Sequence, residues 1–170
     1  RPQTSYSPFT GRRREADVTT KLTGGCACGA VRYACDDEPI VQVVCHCRDC
    51  QKASGSSHAA ILFVPSDRLT FSGTGLKYHE VTGASGRRLQ RGHCPECGSP
   101  VAGRWPENNV YELIQVGSLD DPSGFAPTVE CWMSSAAAWH PTFEGTTRYE
   151  EGPTPAVMRE RIKAYFAARS

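Results

Sequence analysis

The stretch Cys45-His46-Cys47-Arg48-Asp49-Cys50 guides the interpretation of this chain, because it places three cysteines within six residues. Moving outward, Cys26-Ala27-Cys28 lies upstream and Cys94-Pro95-Glu96-Cys97 lies downstream. The two outer pairs together offer the four thiolates of a closed structural zinc shell, whereas three thiolates in one run leave a fourth corner open. The spacing therefore predicts one structural and one reactive metal site.

Composition excludes several classes of function. The chain has 170 residues, 39% hydrophobic and 22% charged, with a formal charge of +1, which predicts one ordinary globular domain and argues against nucleic-acid binding. We find no apolar run long enough to span a membrane and no apolar stretch of signal-peptide type, so we expect an intracellular, cytoplasmic protein. In a reducing compartment the closely spaced cysteines are interpreted as metal ligands, with disulfides as the alternative.

The organisation follows from turn signals. Residues 1–21 are predicted to form a flexible basic tail that contains Arg12-Arg13-Arg14. Residues 22–150 are predicted to form a zinc-binding β domain, and residues 151–170 a helix packed on that domain. Thr154 is the candidate N-cap, and Met158, Ile162, Tyr165 and Phe166 form its apolar stripe. Strands are predicted over 30–34, 40–44, 58–64, 69–73, 77–81, 87–92, 110–116 and 129–133, and their spacing favours antiparallel sheets.

The fourth ligand of the three-cysteine site stays open at this stage. Water, an incoming thiol, His58, His46 or Cys131 could each fill it, and only the first two would leave the site catalytic. His46 is interpreted as a structural or supporting residue, since an extended run would point its ring away from the ion. Cys35 and Cys131 are interpreted as buried small hydrophobes, and His79, His93 and His140 as surface or core residues; His93, directly before Cys94, is also a candidate support for that ligand.

The motifs G-C-A-C-G, C-H-C-R-D-C-Q-K-A-S-G and G-H-C-P-E-C-G, in this order, resemble the glutathione-dependent formaldehyde-activating enzyme family, which also includes centromere protein V. The resemblance covers roughly residues 22–145. It implies a mainly β fold of antiparallel sheets, of the β-tent type, with one short C-terminal helix. It also implies two zinc ions per chain, one held by Cys26, Cys28, Cys94 and Cys97 and the other by Cys45, Cys47 and Cys50.

The leading hypothesis is a zinc-dependent carbon-sulfur lyase that joins a thiol such as glutathione to an aldehyde such as formaldehyde. Cys45, Cys47 and Cys50 would hold the ion, and His58 is the candidate acid or base. The candidate cations for glutathione's carboxylates are Arg48, Lys52, Arg87, Arg88 and Arg104. Trp105, Trp132 and Trp139 are interpreted as core residues, with a pocket wall as the alternative. The rival functions are a non-catalytic zinc-stabilised binding module and a lyase that uses another thiol.

Overall fold

The computed structural model describes residues 21–83, 85–140 and 143–169, and these residues are mainly β-structure. The predicted tail therefore lies, apart from Lys21, outside the described residues. The strands are β1 (Leu22–Gly25), β2 (Val31–Cys35), β3 (Val41–Cys45), β4 (Ala59–Pro65), β5 (Leu69–Gly73), β6 (Lys77–Thr82), β7 (Arg88–His93), β8 (Pro100–Arg104), β9 (Tyr111–Gln115), β10 (Val129–Cys131) and β11 (Thr147–Tyr149). The helices are α1 (Arg48–Ser54) and α2 (Pro155–Ala167).

The strands form two sheets. The larger has the order β11-β10-β3-β4-β9-β8-β7-β6, and the smaller has the order β1-β2-β5. The predicted mainly β class with antiparallel sheets is confirmed. The exception is β10, which runs parallel to both β3 and β11. This direction matters for the site, because it brings residue 131 beside residue 45.

The larger sheet buries residues on both faces, and β4 shows how. Leu62 and Val64 point into a core shared with β2 of the smaller sheet, while Ile61 packs in a second core with Val43 and the 45–50 cysteines. Side chains of a strand alternate between its faces, so neighbouring residues of β4 serve different cores. The second core is the one that positions the three-cysteine run.

Helix α1 was not predicted from the sequence. It begins directly after the strand that carries Cys45, and the side chain of Cys47 caps it by accepting a hydrogen bond from the Cys50 backbone N–H at 3.3 Å. It ends at Ser54 and is followed by the C-cap residue Gly55, whose φ of +66° lies in the left-handed region that favours glycine. A helix turn after an extended strand brings the third cysteine of the run back toward the first two.

Helix α2 begins at the predicted position, with Thr154 Oγ1 accepting a hydrogen bond from the Val157 N–H at 3.4 Å. The Tyr165 hydroxyl donates to the Glu38 carbonyl at 3.0 Å, which ties the helix to the segment before β3. Phe166 was predicted to belong to the buried apolar stripe of this helix, but its side chain is exposed. Within the described part of the chain, no helix is both long and apolar enough to cross a bilayer.

Candidate metal centres

The two outer cysteine pairs meet between two turns. Cys26 and Cys28 lie between β1 and β2, and Cys94 and Cys97 lie between β7 and β8. Their four sulfurs lie within 4.8 Å of one another, with 3.5 Å between the Sγ atoms of Cys26 and Cys28 and 3.8 Å between those of Cys28 and Cys94. The structure thus gathers four cysteines that could hold a metal ion.

The two turns that carry these pairs have the same backbone form. Gly29 donates its N–H to the Cys26 carbonyl at 3.1 Å, and Gly98 donates to the Cys94 carbonyl at 3.0 Å. Both glycines have positive φ, 79° and 73°, which favours glycine over any residue with a Cβ. Hydrogen bonding from the Ser99 hydroxyl, 3.2 Å from the Cys97 sulfur, lowers the pKa of Cys97 to about 5. At Cys97 the environment therefore favours the thiolate that metal binding requires.

Cys45, Cys47 and Cys50 form a second group, with their sulfurs within 4.8 Å of one another and all three residues buried. Among the described residues, no fourth Cys, His, Asp or Glu belongs to this group. Interaction with the Cys45 and Cys50 thiols lowers the pKa of Cys47 to about 2, and the reciprocal interactions raise the pKa of Cys50. Three crowded sulfurs favour one thiolate, whereas a divalent cation would let all three ionise, so this donor set fits an ion such as zinc.

Cys131 is buried beside the second group but is not a member of it. It is paired with Cys45 in the parallel register of β10 and β3, and interaction with the Cys131 thiol raises the pKa of Cys45. The sequence indicated this position of Cys131 only weakly, because a lone cysteine in a short apolar strand usually contributes to packing alone. Cys35, by comparison, is buried and directs its thiol to the Asp37 carbonyl at 3.4 Å.

A cavity of about 590 Å³ opens onto the three-cysteine group and Cys131. Aromatic and apolar side chains make up much of its wall, and four charged residues also line it. The aromatic and long apolar lining residues are Ile61, Phe63, Leu89, Trp105, Tyr111, Leu113, Trp132 and Met158; the charged ones are Asp49, Arg87, Arg91 and Glu151. The group that lacks a fourth protein donor therefore faces a space that accepts a small molecule.

Two of the predicted tryptophans belong to this wall. Trp105 packs against Tyr111 with 5.6 Å between ring centroids. Trp132 follows Cys131 and has a φ of +61°, the one positive value for a non-glycine residue in the described chain. Such a conformation is unfavourable for a bulky residue and tends to occur at functional sites. Trp139 is 75% exposed, so the core interpretation fails for it.

Of the five cations suggested by sequence, Arg87 lines the cavity, with its guanidinium carbon 5.0 Å from the Trp105 ring centroid. Arg91 also lines it and was not predicted. The other four lie elsewhere: Arg48 donates to Gln51, Arg88 pairs with Glu107 and Glu80, Arg104 donates to Gln90 over the Tyr78 ring, and Lys52 is exposed. An anionic ligand in this cavity would meet Arg87 and Arg91.

His58 does not line the cavity. Its ring lies 5.9 Å from that of His46 and 4.8 Å from that of His140, and Ser57 lies 3.0 Å from its Nδ1. Burial lowers the pKa of His58, with the positive charge of a protonated His140 adding to the effect. Its role in proton transfer stays a prediction. His46 is fully buried beside Glu130, an arrangement that sequence spacing did not indicate.

These features define a mainly β domain that carries two cysteine-only candidate metal centres, one closed by four sulfurs and one facing a cavity. The model of the glutathione-dependent formaldehyde-activating enzyme family matches residues 21–135, well over half of the 170 residues. The chain belongs to this family. It is also similar to the crystal structure of a Rhodobacter sphaeroides protein solved as a structural genomics target, with 18% identity and a TM-score of 0.46 over 58% of this chain and 88% of the other.

Proposed function

We propose that this protein is a zinc-dependent carbon-sulfur lyase that forms or cleaves the adduct of a thiol and a small aldehyde. The family's own description makes glutathione and formaldehyde the first pair to test. The observation that carries the proposal is the position of Cys45, Cys47 and Cys50. They lie at the wall of a cavity of about 590 Å³, and the described residues add no fourth donor to their group.

Zinc at this group would bind the incoming sulfur as a thiolate, which makes a nucleophile that is mostly protonated at neutral pH available for attack on a carbonyl. The four-cysteine group is proposed to hold a second, structural zinc. Three thiolate donors would leave the reactive ion with modest Lewis acidity, so we expect a sulfur carrier rather than a hydrolase. The disulfide-free cysteines also fit the cytoplasmic location predicted from sequence.

The chain's own residues supply orientation and shielding. Trp105 and Trp132 would cover the reacting sulfur and exclude water, while Arg87 and Arg91 would pair with carboxylates of the thiol substrate. Both arginines lie on β7 or just before it, on the same side of the cavity as Leu89. A thiol that carries a carboxylate several bonds from its sulfur therefore fits the cavity.

A lyase with a less polar thiol is the second candidate, because the aromatic and aliphatic residues outnumber the charged ones around the cavity. Glutathione brings two carboxylates and an ammonium group, whereas Asp49 and Glu151 reduce the positive charge that two arginines provide. An aromatic or aliphatic thiol would instead gain from contact with Trp105 and Trp132.

The test is the rate at which the adduct of glutathione and formaldehyde forms, followed by exchange NMR with and without zinc-loaded protein. We expect acceleration over the uncatalysed rate that disappears in Cys50→Ser, while Glu96→Ala, an exposed residue of the structural turn, keeps it. Acceleration with an apolar thiol but not with glutathione would identify the second candidate. No acceleration with either thiol, in protein shown to hold zinc at the three-cysteine group, would refute the lyase.

A further inference from the structure

A third group of candidate ligands lies on the opposite face of the strands that carry the reactive cysteines. Residue Glu130 of β10 is paired with Val44, and Cys131 with Cys45. Because side chains alternate along a strand, Cys45 and Cys131 face the cavity while Glu130 and His46 point the other way. The backbone N–H of His46 donates to the Cys131 carbonyl at 2.9 Å, which continues this arrangement one residue past β3.

His140 completes the group from the segment that follows β10. Its Nε2 lies 3.9 Å from Glu130 Oε2, and His46 Nε2 lies 3.3 Å from the same oxygen. The three residues offer one donor atom each within 4.8 Å of one another. The side chains of His46 and Glu130 are fully buried, and that of His140 is 2% exposed. Two imidazoles and a carboxylate thus converge in a place that water reaches poorly.

Two buried nitrogens in this group have no hydrogen-bond partner among the described residues. They are Nδ1 of His46 and Nε2 of His140. A buried polar atom left unpaired costs about 1–3 kcal/mol, so native proteins rarely keep one without a reason. Of the two, His140 Nε2 lies 3.9 Å from Glu130 Oε2 and so faces the centre of the group, which points to a ligand that accepts an electron pair from this nitrogen.

The outer atoms of Glu130 and His140 are held in place. Glu130 Oε1 accepts hydrogen bonds from Thr146 Oγ1 at 2.5 Å and from Arg148 Nε at 3.1 Å, which leaves Oε2 for the histidines. His140 Nδ1 lies 3.4 Å from Ser57 Oγ, which leaves Nε2 for the centre. Metal-binding imidazoles and carboxylates commonly have their outer atoms fixed by such partners.

We propose that His46, Glu130 and His140 form a third metal site, for a divalent first-row transition ion. Two imidazole nitrogens and one carboxylate oxygen suit zinc, iron(II) or cobalt(II), and do not suit magnesium or calcium, which prefer oxygen donors. Donor atoms around a tetrahedral ion lie roughly 3.4 Å apart, so the 3.3 Å and 3.9 Å separations need little adjustment. Arg148 adds a nearby positive charge, so this site binds its ion more weakly than the cysteine sites.

The proposed ion links three parts of the chain: the end of β3, strand β10 and the segment that carries His140. It lies behind the strand end from which Cys45 and Cys47 point to the cavity. Fixing that strand end from behind holds the reactive cysteines in position without contact with the substrate. The site stands independently of the proposed lyase activity, because its donors are separate from the seven cysteines.

The test loads the full chain with cobalt(II) after chelation and measures ions per chain together with sulfur-to-cobalt charge transfer. We expect about three ions per chain in the wild type and about two in His140→Leu and in Glu130→Gln, with the charge-transfer band unchanged. The exposed His79→Leu is the control and keeps all three. Unchanged charge transfer shows that each variant is folded at its cysteine centres.

A wild type that saturates at two ions with full charge transfer would overturn the third site, as would Glu130→Gln that still binds three. Loss of charge transfer in the wild type would instead count against the cysteine centres and the lyase. The two proposals therefore fail by different signals.

Discussion

Cys131 lies directly beside Cys45 because β10 runs parallel to β3 and pairs these two residues in register. The interaction between the thiols raises the pKa of Cys45, so Cys131 affects a proposed ligand without joining the group of three sulfurs. Sequence left Cys131 as a possible fourth ligand, and the lyase proposal requires that it is not one.

Cys131→Ala is therefore expected to leave the ion in place. Its zinc Kd should change by no more than about ten-fold, the scale of a residue beside the ligands, whereas Cys50→Ser should weaken binding by more than about a hundred-fold. Competition with a chromophoric chelator measures both. If the two variants lost the ion equally, Cys131 would be a ligand, the site would be closed, and the binding-module function would be favoured.

The four-cysteine group predicts a stability effect, because it joins the β1–β2 turn to the β7–β8 turn across 66 residues of chain. Cys97→Ser removes one ligand, and we expect a loss of about 3 kcal/mol or more in unfolding free energy. That corresponds to a decrease of roughly 6–12 °C in Tm for a chain of this length. Thermal unfolding followed by circular dichroism measures the change.

Glu96→Ala provides the matched control, since Glu96 is exposed between Cys94 and Cys97 in the same turn. Its Tm should stay within about 2 °C of the wild type. Chelation, which removes every ion, should lower the Tm of the wild type more than that of Cys97→Ser, because the variant has already lost the ion of the four-cysteine group. An unchanged Tm in Cys97→Ser would mean that the group contributes nothing to folding.

Much of the fold could be predicted because its strands show alternating apolar and polar residues, or β-branched residues, between turn signals. β5 coincides with its prediction, and β6 ends one residue later than predicted. β8 (Pro100–Arg104) was missed because Pro, Ala and Gly are poor strand formers, and its pairing with β7 and β9 decides its conformation. α1 was missed because its cap is a cysteine sulfur, not the usual Ser, Thr, Asp or Asn.

The candidate site also has features that could be predicted from the sequence and features that could not. The cysteine groups could be predicted because ligand spacing is local, and the four-sulfur group needed only two short motifs. The arginines that line the cavity could not be predicted in this way. Arg87 and Arg88 are neighbours in sequence, and only the alternation of side chains along the strand directs Arg87, and not Arg88, toward the cavity. Glu130 and His46 are 84 residues apart and belong to no motif, so only the parallel register of β10 brings them together.

Arg87 gives a prediction about substrate affinity. If it pairs with a carboxylate of glutathione, Arg87→Gln should raise KM by about ten-fold and leave kcat nearly unchanged, because the contact is equally strong before and during the reaction. Steady-state kinetics with varied glutathione measures both constants. Arg88→Gln is the control, since Arg88 is held by Glu107 and Glu80 outside the cavity. A ten-fold change in kcat at constant KM would place Arg87 in the transition state instead.

His58 gives the last prediction, because its position tests the proton-transfer role suggested by sequence. A general acid or base contributes about 10²–10⁴-fold to the rate and must reach the reacting group directly or through one water. The His58 ring packs against His140 and Phe143 and does not line the cavity. We therefore expect His58→Gln to lower kcat by no more than about three-fold, with a small loss of stability from the altered ring packing. Single-turnover rates with zinc-loaded protein measure the chemical step directly. A decrease of a hundred-fold or more at full zinc content would identify His58 as the proton carrier and would require the cavity to extend to its ring during the reaction.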